Sequence, residues 1–175
     1  MTEASKPVAT AAEDVKVSDR LQSIHVTTEY RGSYQSVSRV RDLPPIYFDE
    51  PLELGGKNMG PTPLEMTLCA LNSCTAMIMN ILQREMSFKF AGVRFDAEGI
   101  HDVRRAEMKR TGKLFSQVEP IAYHYHKVIQ RVYIRTGESD ERLALFRSEV
   151  ERLCPLAALL RDAKVNVTTE WIREA

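Results

Sequence analysis

Gly60-Pro61-Thr62-Pro63-Leu64-Glu65 runs without a break into Met66-Thr67-Leu68-Cys69-Ala70-Leu71-Asn72-Ser73-Cys74-Thr75-Ala76-Met77-Ile78-Met79-Asn80-Ile81-Leu82. The rest of the chain has to be arranged around this segment. Its start carries a complete helix-initiation signal. Thr62 is an N-cap whose hydroxyl can accept an orphan backbone N–H. Pro63 falls at the first helical position, where its missing N–H costs nothing, and Glu65 three residues after Thr62 completes a capping box. The run that follows is apolar on almost every face, which marks either a core helix or a membrane span. At about seventeen residues it lies at the lower edge for a bilayer. It also carries Thr67, Asn72, Ser73, Thr75 and Asn80. It reads as the buried central helix of a soluble domain, with Cys74 near its middle.

The 175 residues suffice for one domain with a full core, and 24 basic residues balance 24 acidic ones. That balance gives no electrostatic case for nucleic acid or for an anionic membrane as partner. Three cysteines (Cys69, Cys74 and Cys154) are too few for a secreted disulfide scaffold, and their odd number fits a reducing, cytoplasmic compartment. No CxxC is present, and no cofactor or metal set is signposted. His124 and His126 stand two apart and read as ordinary polar strand residues. Residues 1–20 lack an apolar signal core, carry Glu3, Glu13, Asp14 and Asp19, and read as a disordered tail; residues 21–175 read as a single domain.

Outward from the helix, Ile24–Tyr30, Tyr34–Val40 and Ile46–Asp49 read as three strands, separated by Arg31-Gly32-Ser33 and by Asp42-Leu43-Pro44-Pro45. Lys89–Glu98 alternates, with Ala91, Val93, Phe95 and Ala97 on one face. Gly99–Pro120 is highly charged and without period. Tyr123–Thr136 alternates again. His126, Val128, Val132 and Ile134 share one face, while Tyr125, Ile129 and Tyr133 share the other, a pattern of cover on both sides. Ser139 caps a helix with Leu143, Phe146, Val150 and Leu153 on its apolar face; Pro155 ends it and opens a short helix; Val165–Trp171 closes as a strand. The order βββ-α-ββ-α-α-β predicts an α+β fold with an antiparallel sheet.

Only a thiolate is strongly nucleophilic, so the chemistry of each cysteine depends on what lowers its pKa. Cys154 precedes Pro155 and so takes the N-cap position of the short helix, where free N–H groups and the dipole favour an anion. Cys74 has only apolar or uncharged sequence neighbours; an arginine or a helix end must be brought to it by the fold. Cys69 lies about 140° round the helix from Cys74 and reads as a core residue.

Gly60-Pro-Thr-Pro-Leu-Glu before an apolar helix, Cys74 eleven residues after Pro63, a distant Cys154-Pro155, the segment Phe48–Gly56 and the closing strand together resemble the OsmC/Ohr family, osmotically inducible protein C and organic hydroperoxide resistance protein. The resemblance spans residues 21 to the C-terminus. It implies antiparallel sheets wrapped around paired central helices in an intertwined homodimer. The activity implied is reduction of organic hydroperoxides, with Cys74 as peroxidatic thiolate, Cys154 as resolving thiol, and an external dithiol as reductant, in several members a lipoylated protein. It also implies an arginine beside the peroxidatic cysteine, held by a glutamate at the start of the core helix. Arg31 matches that arginine best, with Arg39 and Arg41 as competitors, and Glu65 is the candidate glutamate. The Ohr branch has its glutamate directly after the proline, where this chain has Leu64. The chain therefore looks closer to the broad OsmC-like branches than to Ohr proper. The alternative within the same frame is a non-enzymatic protein that binds a small apolar ligand or senses oxidants.

Overall fold

The structure is a computed structural model that describes residues 21–104, 112 and 122–174. The N-terminal segment 1–20 and most of the charged stretch, 105–111 and 113–120, lie outside the described residues; Gly99 and Ile100 of that stretch end a strand.

Three strands form a first antiparallel sheet in the order β1-β2-β3: β1 (Thr27–Gly32), β2 (Gln35–Arg39) and β3 (Ile46–Phe48). β1 starts at Thr27, three residues later than the β-branched run suggests, and Ile24 is 87% exposed. The β1–β2 register slips between Tyr30 and Gly32, so that Arg31 is the extra residue of a bulge. Gly32, Ser33 and Tyr34 all have positive φ in the turn beyond it. A loop containing a single 3₁₀ turn (Leu52–Leu54) then leads to the central helix. Its organiser is Asp49, 1% exposed, whose carboxylate accepts from Gln35 Nε2 and from the backbone N–H groups of Glu50, Lys57 and Met59. Two glycines are required by close approach: a Cβ on Gly56 would run into the Glu50 carbonyl, and one on Gly60 into the Tyr47 carbonyl.

α1 (Pro63–Glu85) begins with the full capping box. Thr62 Oγ1 accepts from Glu65 N–H at 3.2 Å, and Glu65 Oε2 accepts from Thr62 N–H at 2.7 Å. β4 (Gly92–Ile100) pairs antiparallel with β5 (Lys127–Arg135). Then come α2 (Asp140–Leu153), capped by Ser139, α3 (Pro155–Asp162) and β6 (Asn166–Glu174). Among the described residues the order of strands and α-helices is the one the sequence predicts.

Two expectations need correction. The second sheet, β4-β5-β6, is mixed, because β5 and β6 run parallel with Val128 opposite Val167 and Val132 opposite Trp171. The α2–α3 pair between them is long enough to act as a crossover, which a parallel pairing needs and an antiparallel hairpin does not. Second, α1 is buried on one face only. Leu71, Thr75, Met79 and Leu82 are buried, whereas Met77 is 68% and Ile81 50% exposed. Cys69, expected in the core, is also exposed.

β5 supplies the floor of the core. Val128, Gln130, Val132 and Ile134 are buried on one face, while Ile129, Arg131 and Tyr133 are half-buried on the other. Arg94 stacks on Tyr133 there at 3.5 Å, and Arg131 reaches Asp96 and Glu170. One apolar cluster joins Met79, Leu82, Phe88, Val132, Ile134, Phe146 and Val150, with Phe88 stacked on Phe146 at 4.1 Å. The second joins Leu71, Tyr125, Val128, Cys154, Ala157 and Val165. The first sheet has no substantial packing against α1, α2, α3 or the second sheet.

Candidate functional site

Cys74 and Cys154 meet in the second cluster. Cys74 is half-buried on α1, and Cys154 is 1% exposed. Pro155 disfavours the α region for the preceding residue, and Cys154 is accordingly extended at φ −70°, ψ 111°. Its backbone closes α2 through Cys154 N–H to Val150 O and opens α3 through Ala158 N–H to Cys154 O. The kink between the helices turns its side chain inward, toward Cys74.

The sequence assigns the N-terminal amides of α3 to Cys154, and here the structure corrects it. The Cys154 side chain makes no cap hydrogen bond. Instead, the backbone N–H of Leu156, in the first turn of α3, acts on Cys74 and favours its thiolate. The helix end that Cys74 lacks in its own sequence neighbourhood is thus delivered by the tertiary fold. Burial is the larger influence and pushes the Cys74 thiol up. The Leu156 N–H works in the opposite direction, and the hydrogen bond to Cys154 and its charge raise the thiol again. The net effect is upward, so within one chain Cys74 is a protonated thiol at neutral pH.

The other two candidates are placed elsewhere. Arg31, on the bulge of β1, is exposed and paired with Glu29 Oε2 at 3.2 Å. Arg39 is exposed at the end of β2, and Arg41 is exposed beyond it. Among the described residues, no arginine is one of the groups that set the ionisation of Cys74. Glu65 is held in the capping box; Leu64, directly after Pro63, is the residue that packs against the cysteine-bearing cluster. Glu65 is exposed on the first turn of α1, about 100° round the helix from Leu64. Glu65 still lies near Tyr125, whose phenol is raised by burial first and by Glu65 second, and whose hydroxyl donates to Leu64 O at 2.8 Å.

Sequence reasoning overlooked a polar chain that reaches the cysteines. Gln130 Nε2 donates to Asn72 Oδ1 at 2.9 Å and to Thr75 Oγ1 at 3.1 Å, and Thr75 Oγ1 lies 3.8 Å from Cys154 Sγ. Its signal was present: Gln130 interrupts an otherwise apolar face of β5. His124 and His126 precede β5 rather than lying within it, and His124 Nδ1 is 2.7 Å from Tyr125 O. Among the described residues no group of His, Cys, Asp or Glu is arranged to hold a metal. A shallow groove on the exposed face of α1 is lined by Ser73, Ala76, Met77, Asn80 and Ile81.

The geometry defines a class before it defines a family: an α+β protein with two free thiols in contact, one on the central helix and one at a helix–helix kink. A profile of the family described as OsmC-like protein matches residues 55–170, and the chain belongs to that family. An OsmC-like protein from Mycoplasma pneumoniae superposes with a TM-score of 0.68 at 14% identity, covering 86% of this chain and 98% of that one. An organic hydroperoxide resistance protein from Elizabethkingia anophelis gives 0.66 at 15% identity, covering 90% and 100%. A Legionella pneumophila structure described as organic hydroperoxide resistance protein OsmC gives 0.58 at 15% identity, covering 86% and 97%. At these identities the likeness is one of fold. No curated protein sequence matches the chain.

Proposed function

We propose that this chain is a cytoplasmic thiol peroxidase that reduces organic hydroperoxides through a Cys74/Cys154 cycle, working as an intertwined homodimer. The observation that carries the reading is the packing of Cys74 against the cluster that holds Cys154, with the Leu156 N–H favouring the Cys74 thiolate. The Cys74 thiolate attacks the O–O bond. One oxygen stays on sulfur as a sulfenic acid, and the other leaves as the alcohol after taking a proton. The Cys154 thiol then condenses with the sulfenic acid, forming the S–S bond and releasing water. An external dithiol, in the family pattern a lipoylated protein, reduces the disulfide.

The thiolate needs a cation, and none among the described residues of one chain acts on Cys74. The partner subunit's Arg31 is the proposed source. The first sheet stands apart from the body of its own chain, and the bulge at Arg31 re-aims that side chain. A cation there would both hold the thiolate and meet the charge developing on the leaving alkoxide. Glu65 would orient it through Oε1, because Oε2 is engaged by the cap. Leu64, Leu68, Leu71 and Tyr125 around the cysteines make an apolar approach suited to an organic rather than a hydrophilic peroxide.

The test is free-thiol counting with peptide mapping before and after one equivalent of cumene hydroperoxide. Loss of two thiols, with the new bond between Cys74 and Cys154 and Cys69 left free, is expected. Dithiol-dependent peroxide consumption retained in Cys74→Ser would overturn the assignment. The raised thiol of Cys74 favours a second reading, a non-enzymatic binder of a small apolar ligand or an oxidant sensor. Unchanged thiols after peroxide would select it.

A further inference from the structure

Gln130 is 2% exposed and stands on β5 between Val128 and Val132, both fully buried. It marks the seam between the two apolar clusters, where a fourth β-branched residue would continue the face. A buried amide is tolerated only when its hydrogen bonds are made, and a satisfied buried network fixes the positions of its members. This network ends on sulfur.

Its proton count gives it a direction. The two hydrogens of Gln130 Nε2 go to Asn72 Oδ1 and Thr75 Oγ1. The single hydroxyl hydrogen of Thr75 goes to Leu71 O at 2.9 Å, in preference to Gln130 Oε1 at 3.4 Å. A hydroxyl has one donor and two acceptor sites. The remaining acceptor site of Thr75 therefore faces Cys154 Sγ and takes its S–H. The Cys154 sulfur is then held by the Thr75 oxygen, which fixes its orientation in the cluster against which Cys74 packs.

We infer that Thr75 and Gln130 are positioning residues for the resolving step, an inference that rests on the peroxidase reading above. Once Cys74 is a sulfenic acid, two reactions compete for it. In the first, Cys154 sulfur attacks Cys74 sulfur; the S–S bond forms, the S–O bond breaks, and the Cys154 proton leaves with the hydroxyl as water. In the second, another hydroperoxide oxidises the sulfenic acid to a sulfinic acid and is itself reduced to the alcohol. Orientation of the Cys154 sulfur favours the first. Thr75 sits one residue from Cys74 but on the buried face of α1, so one turn of helix presents the reacting sulfur and the group that aims its partner.

The experiment compares Thr75→Val, Thr75→Ser and Gln130→Met with the parent protein over a titration with cumene hydroperoxide, using mass spectrometry of the Cys74 peptide. The ratio of disulfide to sulfinic acid should fall by about tenfold or more in Thr75→Val, the scale on which lost orientation acts. Thr75→Ser should restore it, and Gln130→Met should fall between. The rate of Cys74 oxidation, measured with each change placed in Cys154→Ser, should stay the same. A merely structural role would lower thermal stability without moving this ratio. An unchanged ratio in both folded variants, with normal Cys74 oxidation, would overturn this inference alone. Absence of Cys74 oxidation in the parent protein would overturn the peroxidase reading and this inference with it.

Discussion

Replacing Met77 and Ile81 by serine should abolish the proposed dimer without unfolding the chain. Both side chains point away from their own core, at 68% and 50% exposure, so the isolated fold loses little when they are truncated. Full burial of either is worth about 2 kcal/mol. Scaled by exposure, the pair contributes about 2.4 kcal/mol per chain. An isologous interface uses each residue twice, which brings the total to about 5 kcal/mol. That corresponds to more than three decades in dissociation constant, an upper figure because serine keeps its Cβ. Sedimentation equilibrium over a concentration series reads the constant directly, and circular dichroism checks that the variant is folded. The same variant should also lose hydroperoxide reactivity, because Cys74 is then left without the partner subunit's Arg31. A parent protein that is monomeric at micromolar concentration would refute the reasoning. So would a double variant that dissociates at the parent's concentration.

Three further outcomes follow from particular contacts. In the monomeric variant, alkylation of Cys74 should show a midpoint above the ordinary thiol range, since burial and Cys154 favour the protonated form; in the dimer the midpoint should fall, as the Cys74 peptide followed by mass against pH would reveal. Phe146→Ala should cost about 3–5 kcal/mol in urea unfolding, because the ring is fully buried, stacked on Phe88 and edge-on to Trp171. Asp49→Asn should flatten the acid limb of the stability profile. Burial raises the Asp49 carboxyl, but Gln35 and the N–H groups of Glu50, Met59 and Lys57 together hold it below its ordinary value. A depressed carboxyl contributes stability above the unfolded pKa and loses it as pH falls through the folded one, so the difference between parent and variant in thermal melts should shrink below about pH 4.

The sequence by itself determined what local physics controls. The Thr62–Glu65 box and Ser139 set two helix starts through hydrogen bonds that span a few residues, Pro155 sets a third through its fixed φ, and alternation in 89–98 and 123–136 located β4 and β5. The two candidate thiols were legible as well, one on an apolar helix and one before a proline. Only the tertiary structure decided how these parts meet. Whether β6 runs parallel or antiparallel to β5 depends on where the α2–α3 crossover returns the chain, and alternation reads the same in either direction. The hydrophobicity of α1 could not say which face its own chain covers; Met77 and Met79 are the same residue type, yet one is exposed and the other buried. Most of all, a cysteine's ionisation depends on groups distant in sequence. Leu156 N–H on Cys74 and Thr75 beside Cys154 are contacts across about eighty residues, and no local pattern encodes a distance between sulfur atoms.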